Sequence, residues 1–307
     1  MGDVHICEVG PRDGLQNAKH LMPTAAKKRW ISALAAAGLE EIEVGSFVPP
    51  KLIPAMADTA EIVAHARAIP GLRVAALAPN LKGFQRALEA GAHKVTFTVS
   101  ASRAHSQANV RMSPEDMVEE VRKCILQRAR LPVDRRPEIE GAVSTAFGCT
   151  MQGQVPEDEV VRLASLLAQA GCDAVALADT VGYANPVQVR RLFRRVREEI
   201  GAKLEGAHFH DTRGLGIANA LAAYEEGVRA FDSSMGGLGG CPFAPGASGN
   251  VITEDLVFLF ESMGVRTGID LEKLFTARNV LTEGLPDEPV YGRTPVAGLP
   301  KNFRPAA

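Results

Sequence analysis

Between residues 4 and 266 the chain repeats one pattern eight times: a short β-branched apolar run, a polar junction, then a longer amphipathic run. Nothing else in the sequence constrains the fold as strongly. The strand candidates are 4–9, 41–46, 73–78, 94–99, 138–144, 174–179, 204–210 and 229–234. Helical spacing of apolar residues fills the gaps, at 24–37, 81–90, 113–130, 156–170, 186–200, 217–226 and 253–263. Glycines such as Gly38, Gly91 and Gly171 follow these runs, where a left-handed cap needs them. Strands alternating with helices imply parallel strands joined by crossover helices. Eight units match a (β/α)8 barrel, whose usual size is about 250 residues. A doubly wound sheet is the alternative, but it has no need of eight even repeats. We therefore expect an α/β chain with one barrel domain over 1–266. The segment 267–307, with a helical stretch at 271–281 and a Pro-rich tail, is expected to pack on the barrel or at an interface.

Composition closes off several function classes. Hydrophobic residues make up 46% of the 307 residues and charged residues 23%, which is ordinary for a globular domain. The net charge of −2 gives no basic excess for nucleic acid. The one basic run, Arg190 to Arg197, has Val189, Leu192, Phe193 and Val196 at helical spacing, so it reads as a solvated helix face. No apolar run reaches membrane-spanning length, and 4–9 is too short for the apolar segment of a signal peptide. The five cysteines are scattered, with no Cys-x-x-Cys pair, so neither a disulfide framework nor a zinc cluster is indicated. A cytoplasmic location is expected, with no nucleic-acid or membrane partner.

In such a barrel the chemistry gathers at the C-terminal ends of the strands. There the sequence places Arg12-Asp13 followed by Gln16, Glu43 before Ser46-Phe47, Asn80 and Lys82, Asp179-Thr180, and His208-Phe209-His210-Asp211. Residues i and i+2 of a strand share a face, so His208 and His210 present two imidazoles together, either to one divalent ion or as two satisfied core histidines. Asp13 and Asn250 add oxygen donors. Such a mixed nitrogen and oxygen set suits Mg2+ or Mn2+ better than structural zinc. Arg12 is either a cation placed where negative charge develops or a surface ion pair. Strand alternation leaves Glu43 open between a buried and an outward carboxylate. Asp179 either orients a ligand histidine or caps the next turn. Asn80 and Lys82 either meet a phosphate or thioester, or start a helix. The last strand leads into residues 236–250, rich in glycine and proline around Cys241, a loop shaped for a task rather than a spacer. A tuned thiol there is a candidate acid or base.

Taken together, residues 9–17 (VGPRDGLQN), 43–48 (EVGSFV), 79–84 (PNLKGF), 208–212 (HFHDT) and 237–242 (GLGGCP) resemble the 3-hydroxy-3-methylglutaryl-CoA lyase family over nearly the whole chain. The resemblance implies a TIM barrel and metal-dependent cleavage of hydroxymethylglutaryl-CoA to acetyl-CoA and acetoacetate. It implies Asp13, His208, His210 and Asn250 as metal ligands, Arg12 as the cation that steadies an enolate, and Cys241 as a loop acid or base. His208 would also act in catalysis, and Glu43, Asp179 and Gln16 would support. It further implies an acyl-CoA partner and a homodimer or higher homo-oligomer. Two positions depart from the pattern: Arg213 stands where the best-known members have tyrosine, and the chain ends without the C-terminal cysteine of some relatives. A lyase for a related branched substrate, such as citramalyl-CoA or a longer-chain glutaryl analogue, is therefore an alternative. An acetyl-CoA condensing synthase and a barrel without activity are weaker ones, the first because such synthases carry extra C-terminal domains.

Overall fold

The computed structural model describes residues 2–239 and 249–306. Its eight strands are β1 His5–Glu8, β2 Glu41–Ser46, β3 Arg73–Leu77, β4 Lys94–Ser100, β5 Glu138–Ser144, β6 Ala174–Asp179, β7 Leu204–Phe209 and β8 Ala230–Ser233. Every neighbouring pair is parallel, and β8 pairs with β1 to close the barrel. The helices α1 Thr24–Ala36, α2 Thr59–Arg67, α3 Leu81–Ala90, α4 Arg103–Val110, α5 Pro114–Arg128, α6 Glu157–Ala170, α7 Pro186–Ile200, α8 Gly216–Glu225 and α9 Thr253–Ser262 follow in chain order, and α10 Leu271–Gly284 and α11 Thr294–Ala297 come last. The expected α/β barrel is thus the observed fold.

Local chemistry sets the element ends. Ser113 and Asp116 cap α5 reciprocally, with Pro114 at the first helical position. Asn185 and Asp270 accept backbone N–H bonds at the starts of α7 and α10. Gly91 and Gly171 take the left-handed conformation that ends α3 and α6. The arginines of α7 are tied outward: Arg191 and Arg195 pair with Glu157, and Arg190 and Arg194 with Glu225 and Glu226. This is the solvated helix face expected from the sequence. Helix α10 lays Leu271, Leu274, Ala277 and Leu281 inward, and a side chain at Gly284 would strike Met22 and Ala26. Among the described residues no helix is long and apolar enough to cross a membrane.

Alternation along the strands divides two interiors. Ile6, Ile42, Val74, Val95, Phe97, Ile139 and Val143 face outward and pack in one core with Trp30, Ile31 and Leu34 of α1. The intervening positions face the barrel axis and are small or charged: Cys7, Glu41, Ala75, Lys94, Thr96, Glu140, Ala142 and Asp232 all line one cavity. Barrels of this type are usually filled along the axis by bulky branched residues. Here the axis is left partly open, and that space joins the mouth.

Candidate active site

The first strand end carries two functional side chains on adjacent residues. Residues Gly10–Gly14 form a single π-helical turn, with N–H groups of Asp13 and Gly14 returning to the Val9 carbonyl. Only glycine fits at position 10, because an added Cβ would lie 2.5 Å from Glu8 Oε1 and 2.9 Å from the Trp30 ring. The turn lets consecutive side chains converge: Arg12 Nη1 lies 2.5 Å from Asp13 Oδ1, while Arg12 Nε donates to Glu43 Oε2 from β2. Glu43 therefore points inward and is buried, which settles the choice that alternation left open. The turn is moored from beneath by Glu8. This fully buried carboxylate accepts from the N–H of Gly10 at 2.8 Å, the N–H of Met235 at 2.9 Å and the Thr253 hydroxyl at 2.7 Å.

Across the mouth, β7 carries the histidine pair. The rings of His208 and His210 lie 5.2 Å apart. His208 Nδ1 is 3.1 Å from Asp232 Oδ2, its register partner on β8. His210 Nε2 is 4.0 Å from Asp13 Oδ2, and its backbone bridges to Asn250. The ligand atoms of Asp13, His208 and His210 lie within 4.8 Å of one another. Asn250 Nδ2 donates to Asp13 Oδ2 at 2.8 Å and to the Leu238 carbonyl at 2.9 Å. With the nitrogen so placed, Asn250 Oδ1 is buried and has no hydrogen-bond partner among the described residues, and neither has His210 Nδ1. An orphaned amide oxygen beside a carboxylate and two imidazoles is the donor set that a divalent cation completes. The residues present therefore fit a divalent metal.

The electrostatics agree with that division of labour. Burial alone would raise the Asp13 carboxyl, but Arg12, both histidines and the Asn250 amide hold it at about 2. Burial, reinforced by His208, pushes His210 down to about 3 and keeps its imidazole neutral, as a ligand must be. Burial also works against protonated His208, yet the Asp232 carboxylate outweighs it and raises that group. Glu43 is raised by burial in spite of Arg12, and its Oε1 has no partner among the described residues.

The mouth opens into a cavity of about 680 Å³, lined by Arg12, Asp13, Gln16, Glu43, Asn80, His208 and His210 among others. Two expected residues, Asp179 and Asn80, act as caps, and a third, Lys82, stands outside the cavity. Asp179 accepts from the N–H groups of Tyr183 and Ala184, at 2.9 and 3.0 Å, so it caps the turn after β6, and among the described residues it makes no hydrogen bond to either histidine. Lys82 stands exposed in the first turn of α3 and is absent from the cavity lining, while Asn80 Oδ1 caps that helix by accepting from Gly83 N–H at 3.0 Å. Arg213 does not enter the cavity either. Its guanidinium lies over the Tyr183 ring at 4.6 Å and donates to the carbonyls of Val181 and Gly182. Cys241 lies outside the described residues. Asp232 is the site residue that the sequence reading missed. Its signal is a lone carboxylate in an apolar strand, one register step from His208.

The chain is 44% identical over 274 residues to the 3-hydroxy-3-isohexenylglutaryl-CoA/hydroxy-methylglutaryl-CoA lyase of Pseudomonas aeruginosa, covering 89% of this chain and 90% of that one. It is 40% identical over 282 residues to the mitochondrial hydroxymethylglutaryl-CoA lyase of Rattus norvegicus, covering 92% and 86%. Its fold overlays the HMG-CoA lyase of Acinetobacter baumannii, solved with coenzyme A and 3-methylmalate, at a TM-score of 0.91 and 40% identity, covering 98% of this chain and 97% of that one. The family model described as HMGL-like matches residues 3–281, and with relatives this similar over most of its length the chain belongs to the HMGL-like family.

Proposed function

We propose that this chain is a metal-dependent carbon–carbon lyase that cleaves 3-hydroxy-3-methylglutaryl-CoA to acetyl-CoA and acetoacetate. The observation that carries the reading is the convergence of Asp13, His208 and His210 beside Arg12, with the Asn250 amide oxygen next to them left unpartnered among the described residues. Asp13, His208, His210 and Asn250 would hold one Mg2+ or Mn2+. That ion would acidify the substrate's 3-hydroxyl and fix its orientation.

The remaining work falls to the protein's own groups. The C2–C3 bond breaks as the 3-hydroxyl loses its proton. The bonding pair moves to C2 and onto the thioester oxygen, leaving a ketone at C3. Arg12 carries a permanent positive charge, and Glu43 and Asp13 hold it rigidly at the mouth. It is thus preorganised for charge that appears only in the transition state. Asp232 holds His208 by Nδ1, leaving Nε2 toward the cavity. Gln16 lines the cavity, where it would support the thioester arm. Finally C2 must regain a proton to balance the one the 3-hydroxyl lost, and Cys241 is the residue we assign to both transfers, as base for the first and acid for the second. We place the protein in the cytoplasm as a homo-oligomer, and we divide it into a barrel over 1–266 and an extension over 267–307.

The test is direct. Purified protein, stripped with EDTA and then reloaded with Mg2+ or Mn2+, is assayed for acetoacetate and acetyl-CoA from hydroxymethylglutaryl-CoA. Metal-restored release of both products in equal amounts is expected. Undiminished activity in the stripped protein overturns the metal reading, and no products in either form overturns the lyase reading. The His210→Ala variant should fold normally and lose metal binding by calorimetry.

A further inference from the structure

Below the ligand set, the cavity continues down the barrel axis to a buried ion cluster that cleaving a C2–C3 bond does not need. Lys94, at the start of β4, is 9% exposed. Its Nζ lies 3.0 Å from Glu41 Oε1 and 2.8 Å from Glu140 Oε2. An ammonium has three N–H donors. Two are engaged here, and the third has no partner among the described residues. The walls between this floor and the ligand set are small: Ala75, Thr96, Thr98 and Ala142. Burying an ion cluster is costly, and apolar residues of similar volume commonly serve stability as well or better. A cluster kept at the end of an open passage points to something that reaches it.

We infer that the chain accepts, in place of the 3-methyl group, a longer substituent ending in a neutral hydrogen-bond acceptor, which runs down the axis to Lys94. This rests on the lyase reading above. The reacting atoms C1 to C3 belong at Arg12 and the ligand set, so of the two arms on C3 the one in place of methyl is free to descend, the C4–C5 arm being barred by its own carboxylate. The floor excludes an apolar arm and an anionic one. An apolar end would strand the ammonium donor and two carboxylates without solvent. A carboxylate end would meet Glu41 and Glu140, which together already balance Lys94 and leave no spare positive charge. Arg73 offers none, because it pairs with Glu41 and Glu138. A hydroxyl or carbonyl takes the third N–H and adds no charge.

The experiment uses the full chain loaded with Mg2+. Its substrates are hydroxymethylglutaryl-CoA and three analogues whose 3-methyl is replaced by 4-hydroxybutyl, pentyl or 3-carboxypropyl. kcat/KM is read from acetyl-CoA release. A hydrogen bond to a charged donor predicts that hydroxybutyl exceeds pentyl and carboxypropyl by about tenfold or more. Lys94→Met should bring the hydroxybutyl-to-pentyl ratio to within about twofold of one. Equal rates for the arms in the wild type, a carboxypropyl preference, or a ratio that survives Lys94→Met each overturn the inference. Should Lys94→Met fail to fold by circular dichroism, Ala142→Leu replaces it. That variant fills the passage without touching the ion cluster, and it should cut the hydroxybutyl substrate about tenfold relative to hydroxymethylglutaryl-CoA. An unchanged ratio there also overturns the inference. Wild type that cleaves none of the four thioesters refutes the lyase reading and this one with it. Cleavage of hydroxymethylglutaryl-CoA with flat arm preferences refutes this one alone.

Discussion

Asp232 holds His208 through one hydrogen bond of 3.1 Å, and that bond decides which imidazole nitrogen faces the cavity. Removing the carboxylate frees the ring to rotate and to change tautomer. Such partners of metal-ligating histidines are worth about 10- to 100-fold in metal affinity, or roughly 1.4–2.7 kcal/mol. The pair is only partly covered, with side-chain exposures of 12% and 28%, so Asp232→Ala should fall within that range rather than above it. Asp232→Asn keeps an acceptor oxygen for Nδ1–H and loses only the charge, so it should lie near the lower end. A merely structural role predicts something different. The Asp232 charge lies close enough to Glu43 and Glu140 to raise both. Removing it relieves repulsion along the axis, so the metal-free protein should not lose thermal stability. Titration calorimetry with Mn2+ and thermal unfolding in EDTA separate the cases. An Mn2+ affinity within twofold of wild type in Asp232→Ala would refute the reasoning, as would equal losses of Tm with and without metal.

Arg12→Gln should lower kcat by about 10²–10³ and change KM little, since its charge meets an enolate that forms only in the transition state; an effect confined to KM in steady-state assays would make Arg12 a binding residue. Burial works against ionised Glu41, but Lys94, His5 and Arg73 overcome it and hold its carboxyl well below the ordinary range. A depressed carboxyl stabilises the fold above its unfolded value of about 4.3 and loses that contribution as pH falls further. Glu41→Gln should therefore cost about 2 kcal/mol at pH 7 in urea unfolding, and the gap to wild type should narrow below pH about 4; a gap independent of pH would contradict this. Cys7, Cys124, Cys149 and Cys172 are buried, and burial pushes the Cys124 and Cys172 thiols up to about 12. Iodoacetamide should thus modify Cys241 first, and a substrate analogue should slow it; mass spectrometry that finds another cysteine labelled first would remove Cys241 from the site.

The strands were legible because each is a short β-branched run closed by polar residues, and all eight fall within a residue or two of expectation. Helices α2 and α4 were not anticipated. The first is only nine residues long, with Ile62, Val63 and Ala66 as its whole apolar face, and the second, Arg-Ala-His-Ser-Gln-Ala-Asn-Val, buries His105 and Ser106 and shows no apolar period. At the site, the residues that meet across the mouth were legible as types at strand ends, but their pairings were not. Arg12 and Glu43 are 31 positions apart, and His208 and Asp232 are 24 apart. Which carboxylate serves which cation depends on strand register, and register emerges only when the barrel closes. Asp179 shows the converse. Its place after β6 suggested chemistry, and two backbone N–H groups claimed it.

The mooring of Glu8 bears on how this site could be moved or altered. One carboxylate ties together the turn bearing Arg12 and Asp13, the segment at Met235 that leads toward Cys241, and Thr253, three residues beyond Asn250. None of these attachments touches the cavity, yet all three pieces of the mouth hang from it. Grafting only the reacting residues onto another barrel would leave those pieces to settle independently. A transplant would need Glu8, Gly10 and Thr253 as a founding unit, placed before any ligand is chosen. By the same logic, laboratory evolution of new substrates should vary the walls of the passage freely and leave Glu8 alone.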